Sequence, residues 1–176
     1  KEQDIFVAQD INERVVRALK AHTGQGYKGV LYGGFMVTSG GVKLIEYNAR
    51  FGDPEAMNLL ALLDADFAKV CSDIANGTLS QVDFRKEASV CKYIVPFGYG
   101  SNPRKDTTLL IDNQFSKTSD LYYAAVNLLD GKIVTTSSRA AALVSCADTI
   151  KKAEEKCEKA LTYISGDNIY VRHDIA

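Results

Sequence analysis

Leu44-Ile45-Glu46-Tyr47-Asn48-Ala49-Arg50-Phe51-Gly52-Asp53-Pro54-Glu55 is the stretch on which the reading of this chain turns. Its first half is strand-like, and side chains on a strand alternate between faces. Glu46, Asn48 and Arg50 therefore point one way, and Ile45, Tyr47 and Ala49 the other. Groups two residues apart lie about 6.6 Å apart along a strand, so a carboxylate and an amide oxygen can reach one cation between them. This is a hard donor set suited to magnesium, which keeps several waters and completes its shell with nucleotide phosphates. A guanidinium one step further on adds bidentate phosphate contacts. Geometry alone leaves a second reading open, in which these residues are the exposed face of a half-buried hairpin strand and Glu46 pairs weakly with Arg50. The second half, Gly52-Asp53-Pro54-Glu55, is a helix start, with Asp53 placed to cap, Pro54 at the first helical position and an acid in the first turn.

Upstream, Ile11, Val15, Val16 and Leu19 recur at helical spacing opposite charged residues, which predicts an amphipathic helix over 10–22, ended by Gly24 and Gly26. Strand-like runs over 29–38 and 42–50 flank Ser39-Gly40-Gly41, a hairpin. Downstream, helices are expected over 54–63 and 65–75, the latter stopping at Asn76-Gly77, and the polar stretch 80–87 reads as a linker. The texture then changes to short strands at 88–96, 108–111, 121–128 and 132–137, with a hairpin turn at Leu129-Asp130-Gly131. A helix over 148–164 carries the charge run from Lys151 to Lys156, read as a solvated face, and a strand over 169–172 follows. The fold class is α+β, in two parts that meet near residue 85.

With 176 residues the chain can bury a sizeable core, and 21 basic against 22 acidic residues leave no basic field for nucleic acid or anionic lipid. No run approaches the roughly 20 apolar residues of a membrane span, and no signal peptide is visible. The four cysteines are scattered in apolar or amphipathic runs, as expected of reduced thiols in a cytoplasmic protein. His22 and His173 read as lone histidines in polar company, without the partners a general base requires. The chain opens on Lys1-Glu2-Gln3-Asp4 without a Met, the expected look of a cut end.

The run Asn48-Ala49-Arg50-Phe51-Gly52-Asp53-Pro54-Glu55, after Gly29-Val30-Leu31-Tyr32-Gly33-Gly34-Phe35-Met36, resembles the signature of the phosphoribosylamine–glycine ligases, a family of ATP-grasp enzymes. Gly98-Tyr99-Gly100 before Asn102-Pro103, Ser138-Arg139-Ala140, and Tyr170-Val171-Arg172-His173-Asp174-Ile175 extend the resemblance, in order, over essentially the whole chain. It implies the C-terminal half of an ATP-grasp fold over 1–84, followed by a small mixed α/β C-terminal domain over 85–176.

The resemblance also implies a chemistry. Glu46 and Asn48 would hold magnesium or manganese ions bridging the phosphates of ATP, and Arg50 would lie near the transferred phosphate. Such enzymes phosphorylate a carboxylate, here glycine's, and an amine, here that of phosphoribosylamine, displaces phosphate to give glycinamide ribonucleotide in purine biosynthesis. Asp53 and Glu55 read equally as helix-start acids or as ligands of glycine, and Arg139 and Arg172 as holders of the ribosyl phosphate or as surface ion pairs. Where the family's bacterial members carry Gly-Gly-Arg, this chain has Ser137-Ser138-Arg139. The family's N-terminal half, with its phosphate loop and nucleotide-covering lysine, has no counterpart here; Lys28 and Lys43 are hairpin lysines. The expectation is therefore an enzyme fragment that is inactive alone. The competing readings are a non-catalytic binding module derived from the same fold, and another ATP-grasp carboxylate–amine ligase.

Overall fold

The computed structural model describes residues 2–115 and 119–175. It divides into two compact units, Lys1–Ala56 with Ala65–Asp83, and Met57–Asp64 with Phe84–Ala176. No described helix is long and apolar enough to cross a membrane.

In the first unit, helix α1 spans Glu2–Thr23 and so starts a full two turns before the expected residue 10. Periodicity missed those turns because Ile5 and Phe6, at 68% and 72% exposure, face solvent in this unit rather than joining an apolar stripe. Glu2 and Asp4 in the first turn favour the helix N-terminus electrostatically. Strands β1 (Tyr32–Thr38) and β2 (Gly41–Asn48) form an antiparallel hairpin around Ser39-Gly40, with an irregularity between Gly34 and Phe35. The hairpin packs on α1: the Tyr47 hydroxyl donates to Asn12 Oδ1 at 2.8 Å. Gly33 permits this approach, since a Cβ there would stand 3.0 Å from Asn12 Oδ1 and 2.6 Å from the Phe35 ring.

Helix α2 (Glu55–Leu62) begins at the end of this unit's first segment, one residue later than expected, after a cis Asp53–Pro54 bond. Helix α3 (Phe67–Asn76) is capped at both ends. Asp66 accepts from the Ala68 and Lys69 amides, and Gly77 takes the left-handed conformation that ends helices. Lys28 Nζ, far from being a mere hairpin lysine, donates to the Ala75 carbonyl in the last turn of α3.

The buried apolar core lies in the second unit, among residues from Val90 to Ile164. Its strands are β3 (Ala88–Pro96), β4 (Leu110–Ile111), β5 (Asp120–Tyr123), β6 (Val126–Leu129), β7 (Lys132–Thr135), β8 (Ala141–Ala147), β9 (Ile164–Ser165) and β10 (Ile169–Val171), with helix α4 at Ile150–Leu161. A four-stranded antiparallel sheet runs β10-β3-β8-β5, while β4 pairs with β9 and β6 with β7. One face of the sheet packs on α4, burying Val90, Ile94 and Leu143 against Ala153, Cys157, Ala160 and Leu161. The other face sets Cys91, Ala142 and Val144 against Met57 and Ala61 of α2 and the Tyr93 ring.

Three expectations are corrected here. The strand expected over 121–128 is two strands, β5 and β6, that pair with different partners: the Ala124 and Ala125 amides donate to the Ala140 and Arg139 carbonyls, and the chain then leaves the main sheet. The helix expected over 148–164 is shorter, because Thr149 caps it and Ile164 belongs to β9. The charge run on α4 is not all solvated: Lys151, Lys152, Glu155 and Lys156 are exposed, but Glu154 turns inward to the fully buried Lys92.

Lys92 stays ionised despite that burial. Desolvation alone lowers its pKa, but hydrogen bonds and charge from Glu158 and Glu154 outweigh this and leave it above the ordinary 10.5. For Glu158, desolvation alone acts upward, yet Lys92 and His173 hold the carboxyl below the ordinary 4.5. A depressed carboxyl contributes stability that is present above its unfolded value and lost as pH falls through the folded one; a raised lysine contributes stability below its unfolded value that is lost as pH rises through the folded one. The melting temperature of the second unit is thus expected to fall below about pH 4.5 and above about pH 10.5. Glu158→Gln should flatten the acid limb in a calorimetric pH series, and an unchanged limb would refute the assignment.

Candidate functional site

The alternation expected of Glu46, Tyr47 and Asn48 is present, but β2 ends at Asn48, so Arg50 lies beyond the strand in a bend rather than on its polar face as expected. Tyr47 turns to α1, while Asn48 Nδ2 donates to Glu46 Oε1 at 3.3 Å on the opposite face. That bond uses the Asn48 amide nitrogen, so the amide oxygen remains an acceptor beside the Glu46 carboxylate. Across the hairpin, Gly34 stands opposite Glu46 and Tyr32 opposite Asn48. A Cβ at Gly34 would come within 3.5 Å of Glu46 Cγ.

Tyr32 was missed as an individual site residue. Its hydroxyl donates to Glu55 Oε1 at 3.0 Å, tying the hairpin to the first residue of α2. Burial raises its pKa first, followed by the hydrogen bond and charge of Glu55 and the charge of Glu46, so the phenol stays protonated and donating. The signal was its register opposite Asn48, which places both side chains on one face. Gly52 makes room for Glu55: a Cβ there would meet Glu55 Oε2 at 2.4 Å and the Tyr32 ring at 3.1 Å. Arg50 donates to the Phe51 carbonyl at 2.7 Å. Asp53 lies in the turn just before α2.

Glu46, Asn48 and Glu55 thus share one polar surface of the first unit, with Arg50 and Asp53 in the segment between. Among the described residues no group of three or more His, Cys, Asp or Glu side chains is arranged to hold a metal. A divalent ion here would take two oxygen donors from Glu46 and Asn48 and the rest from water or a ligand, the coordination habit of magnesium.

In the second unit, Arg139 and Arg172 line one pocket of about 470 Å³, with Tyr93, Phe97, Tyr99 and Tyr170. They approach it from the residue before β8's buried run and from the end of β10. The Arg139 guanidinium lies 4.8 Å from the centre of the Tyr93 ring, a cation–π contact that holds it across the sheet face. Arg172 makes a bidentate pair with Asp174, at 3.1 and 2.6 Å, so the surface ion pair expected as an alternative is real for this residue. Both members are exposed to solvent. His173 is not the lone histidine expected, for its Nδ1 lies 2.8 Å from Glu158 Oε2.

Comparison with known proteins follows this division. Residues 1–56 match the model of the phosphoribosylglycinamide synthetase ATP-grasp (A) domain, and residues 89–176 that of the phosphoribosylglycinamide synthetase C domain. The chain is 50% identical, over 99% of its length, to the phosphoribosylamine–glycine ligase of Methanocaldococcus jannaschii, and 48% identical, over 94%, to that of Methanocella arvoryzae. It spans 40% and 38% of those relatives. The crystal structure of phosphoribosylamine–glycine ligase from Thermotoga maritima superposes with a TM-score of 0.74 at 26% identity, covering 89% of this chain and 39% of that one. Biotin carboxylase from Campylobacter jejuni, solved as a β,γ-ATP complex, shares the fold at 16% identity and a TM-score of 0.64, covering 92% of this chain and 36% of that one. Fold and hairpin together define an α+β chain of the ATP-grasp class. Within that class, the chain belongs to the phosphoribosylglycinamide synthetase family.

Proposed function

We propose that this chain is the C-terminal portion of a phosphoribosylamine–glycine ligase, which joins glycine to phosphoribosylamine at the expense of ATP through a glycyl phosphate. The reading is carried by one observation: Glu46 and Asn48 stand 3.3 Å apart on the open face of the hairpin, with Tyr47 turned away to α1. We assign residues 1–84 to the ATP-grasp domain and 85–176 to the C-terminal domain. Among the described residues of the first unit only Gly52 is buried, so this unit lacks an apolar core of its own, which favours its being part of a larger domain.

In this reading Glu46 and Asn48 would hold a magnesium or manganese ion that accompanies ATP. A bound divalent ion would neutralise charge developing on the phosphate oxygens. Arg50, which spends one Nη1 donor on Phe51, has further N–H groups to direct at the transferred phosphoryl group. Glu55, oriented by Tyr32, and Asp53 offer carboxylates to glycine's ammonium. Arg139 and Arg172 hold the ribosyl phosphate in the aromatic-lined pocket, phosphate displacing Asp174 from Arg172. Catalysis then rests on positioning and fixed charge, with no protein nucleophile. The described cysteines are all free thiols, as suits a cytoplasmic enzyme.

The test is to express the complete reading frame and assay ADP release with ATP, glycine and phosphoribosylamine, omitting each in turn. Release that requires all three is expected. Release independent of glycine, or none at all, would sink the reading.

A further inference from the structure

The β10–β3 ladder stops at Val171 opposite Ile94, and continuing its register would set His173 opposite Lys92. There the side chain of Lys92 takes over from the backbone. Its Nζ donates to the His173 carbonyl at 2.9 Å, to Glu158 Oε1 at 2.6 Å and to Glu154 Oε1 at 3.1 Å. An ammonium has three donors, and all three are used. The second Glu158 oxygen, Oε2, lies 2.8 Å from His173 Nδ1, so this residue is gripped by both its main chain and its ring.

The Lys92 side chain is fully buried, with 0% exposure, whereas Glu154 and Glu158 keep 29% and 34%. A buried ammonium short of partners is strongly unfavourable, so the three acceptors must stay in place while Lys92 stays charged. One of the three belongs to the segment after the last strand, whose neighbours Arg172 and Ile175 wall the pocket of Arg139.

We propose that Lys92 is a positioning residue: its buried ammonium clamps the segment 172–175 beyond the end of the sheet and thereby holds Arg172 in the wall of the Arg139 pocket. The link to catalysis rests on the reading of that pocket as the seat of the ribosyl phosphate; the clamp itself does not. With an apolar residue at 92, Glu154 and Glu158 can turn to solvent, the His173 carbonyl loses its partner, and Arg172 is left on a loosened strand end.

The experiment compares Lys92→Met, Lys92→Arg and Glu158→Gln in the complete enzyme by backbone amide hydrogen exchange and by steady-state kinetics. In Lys92→Met, amides of 172–175 should exchange at least about tenfold faster. The KM for phosphoribosylamine should rise roughly tenfold while kcat and the KM for ATP hold, the pattern of lost uniform binding. Lys92→Arg, which keeps the charge, should recover part of both. Glu158→Gln removes one charge contact while leaving Lys92 in place, and serves if Lys92→Met does not fold; it should shift both readouts in the same direction by less. Unchanged exchange at 172–175 in a folded variant overturns the clamp, whether or not the enzyme ligates. Faster exchange with an unchanged phosphoribosylamine KM, or equal losses in kcat and in the KM for ATP, overturns the positioning role. Should the wild-type enzyme make no glycinamide ribonucleotide, the ligase reading fails while the exchange measurement still decides the clamp.

Discussion

Glu46→Gln in the complete enzyme is expected to lower kcat by about a thousandfold, the scale seen when a fixed group that stabilises transition-state charge is removed. Gln keeps the shape and one carbonyl oxygen but removes the negative charge that would anchor a divalent ion beside Asn48. Glu46 is exposed and accepts one hydrogen bond, from Asn48. Its replacement should therefore change stability by no more than about 0.5 kcal/mol. Thermal unfolding and turnover together separate the two effects. Raising magnesium should recover part of the activity if the loss is one of ion affinity. A variant with normal kcat would remove Glu46 from the metal-holding role, and a variant that unfolds would assign it to the hairpin's structure instead.

The second large effect is expected at Gly98, in the loop between Phe97 and Tyr99 that borders the Arg139 pocket. Its φ is +79°, and a Cβ there would stand 2.3 Å from the Asn102 carbonyl oxygen and 3.0 Å from the Asn102 carbonyl carbon. Those are backbone atoms, held by the Ser101 and Asn102 amides donating to the Gly98 carbonyl, and they cannot swing aside as a side chain could. Gly98→Ala should therefore cost roughly 2–4 kcal/mol, combining left-handed strain with a main-chain clash. For a chain of this size that lowers Tm by roughly 5–15 °C. Gly100 is the control: its φ is +87° but a Cβ there would meet nothing within 4 Å. Gly100→Ala should cost only about 1 kcal/mol, the conformational part alone. Equal destabilisation by the two changes would show that the close approach of Asn102 is not what requires glycine at 98.

Much of this was legible along the chain because it is local. Alternation placed Glu46 and Asn48 on one face of β2 and Tyr47 on the other, since the side-chain period of a strand needs no knowledge of its partner. The span of β3, the places of the two hairpin turns, and the end of α3 at Gly77 followed from residue types that set backbone conformation, though Gly41 and Leu129 proved to belong to the strands β2 and β6. The largest element missed whole was β8, one of the two interior strands of the second unit's four-stranded sheet, which went unmarked between Arg139 and Asp148. Ala141-Ala142-Leu143-Val144-Ser145-Cys146-Ala147 packs against α4 on one side and α2 on the other, so it shows no alternation to read. The division of 121–128 into β5 and β6 was hidden for a related reason. Which strand a residue pairs with is a property of the partner, and Leu121-Tyr122-Tyr123-Ala124-Ala125-Val126 carries no turn signal where the partner changes.

The polar pairings divide the same way. By itself the sequence determined the face on which Glu46 and Asn48 lie, the acidic start of α2 and the family resemblance, because each depends on neighbours a few residues apart. Only the tertiary structure decided that Tyr32 orients Glu55 across 23 residues. It also decided that Arg139 and Arg172 share a pocket, and that Lys92 is buried against Glu154, Glu158 and His173, at separations of 62, 66 and 81 residues. A buried lysine in an apolar strand reads as an anomaly until its acceptors are in view. Burial and charge compensation are set by what folds back over a residue, not by what flanks it.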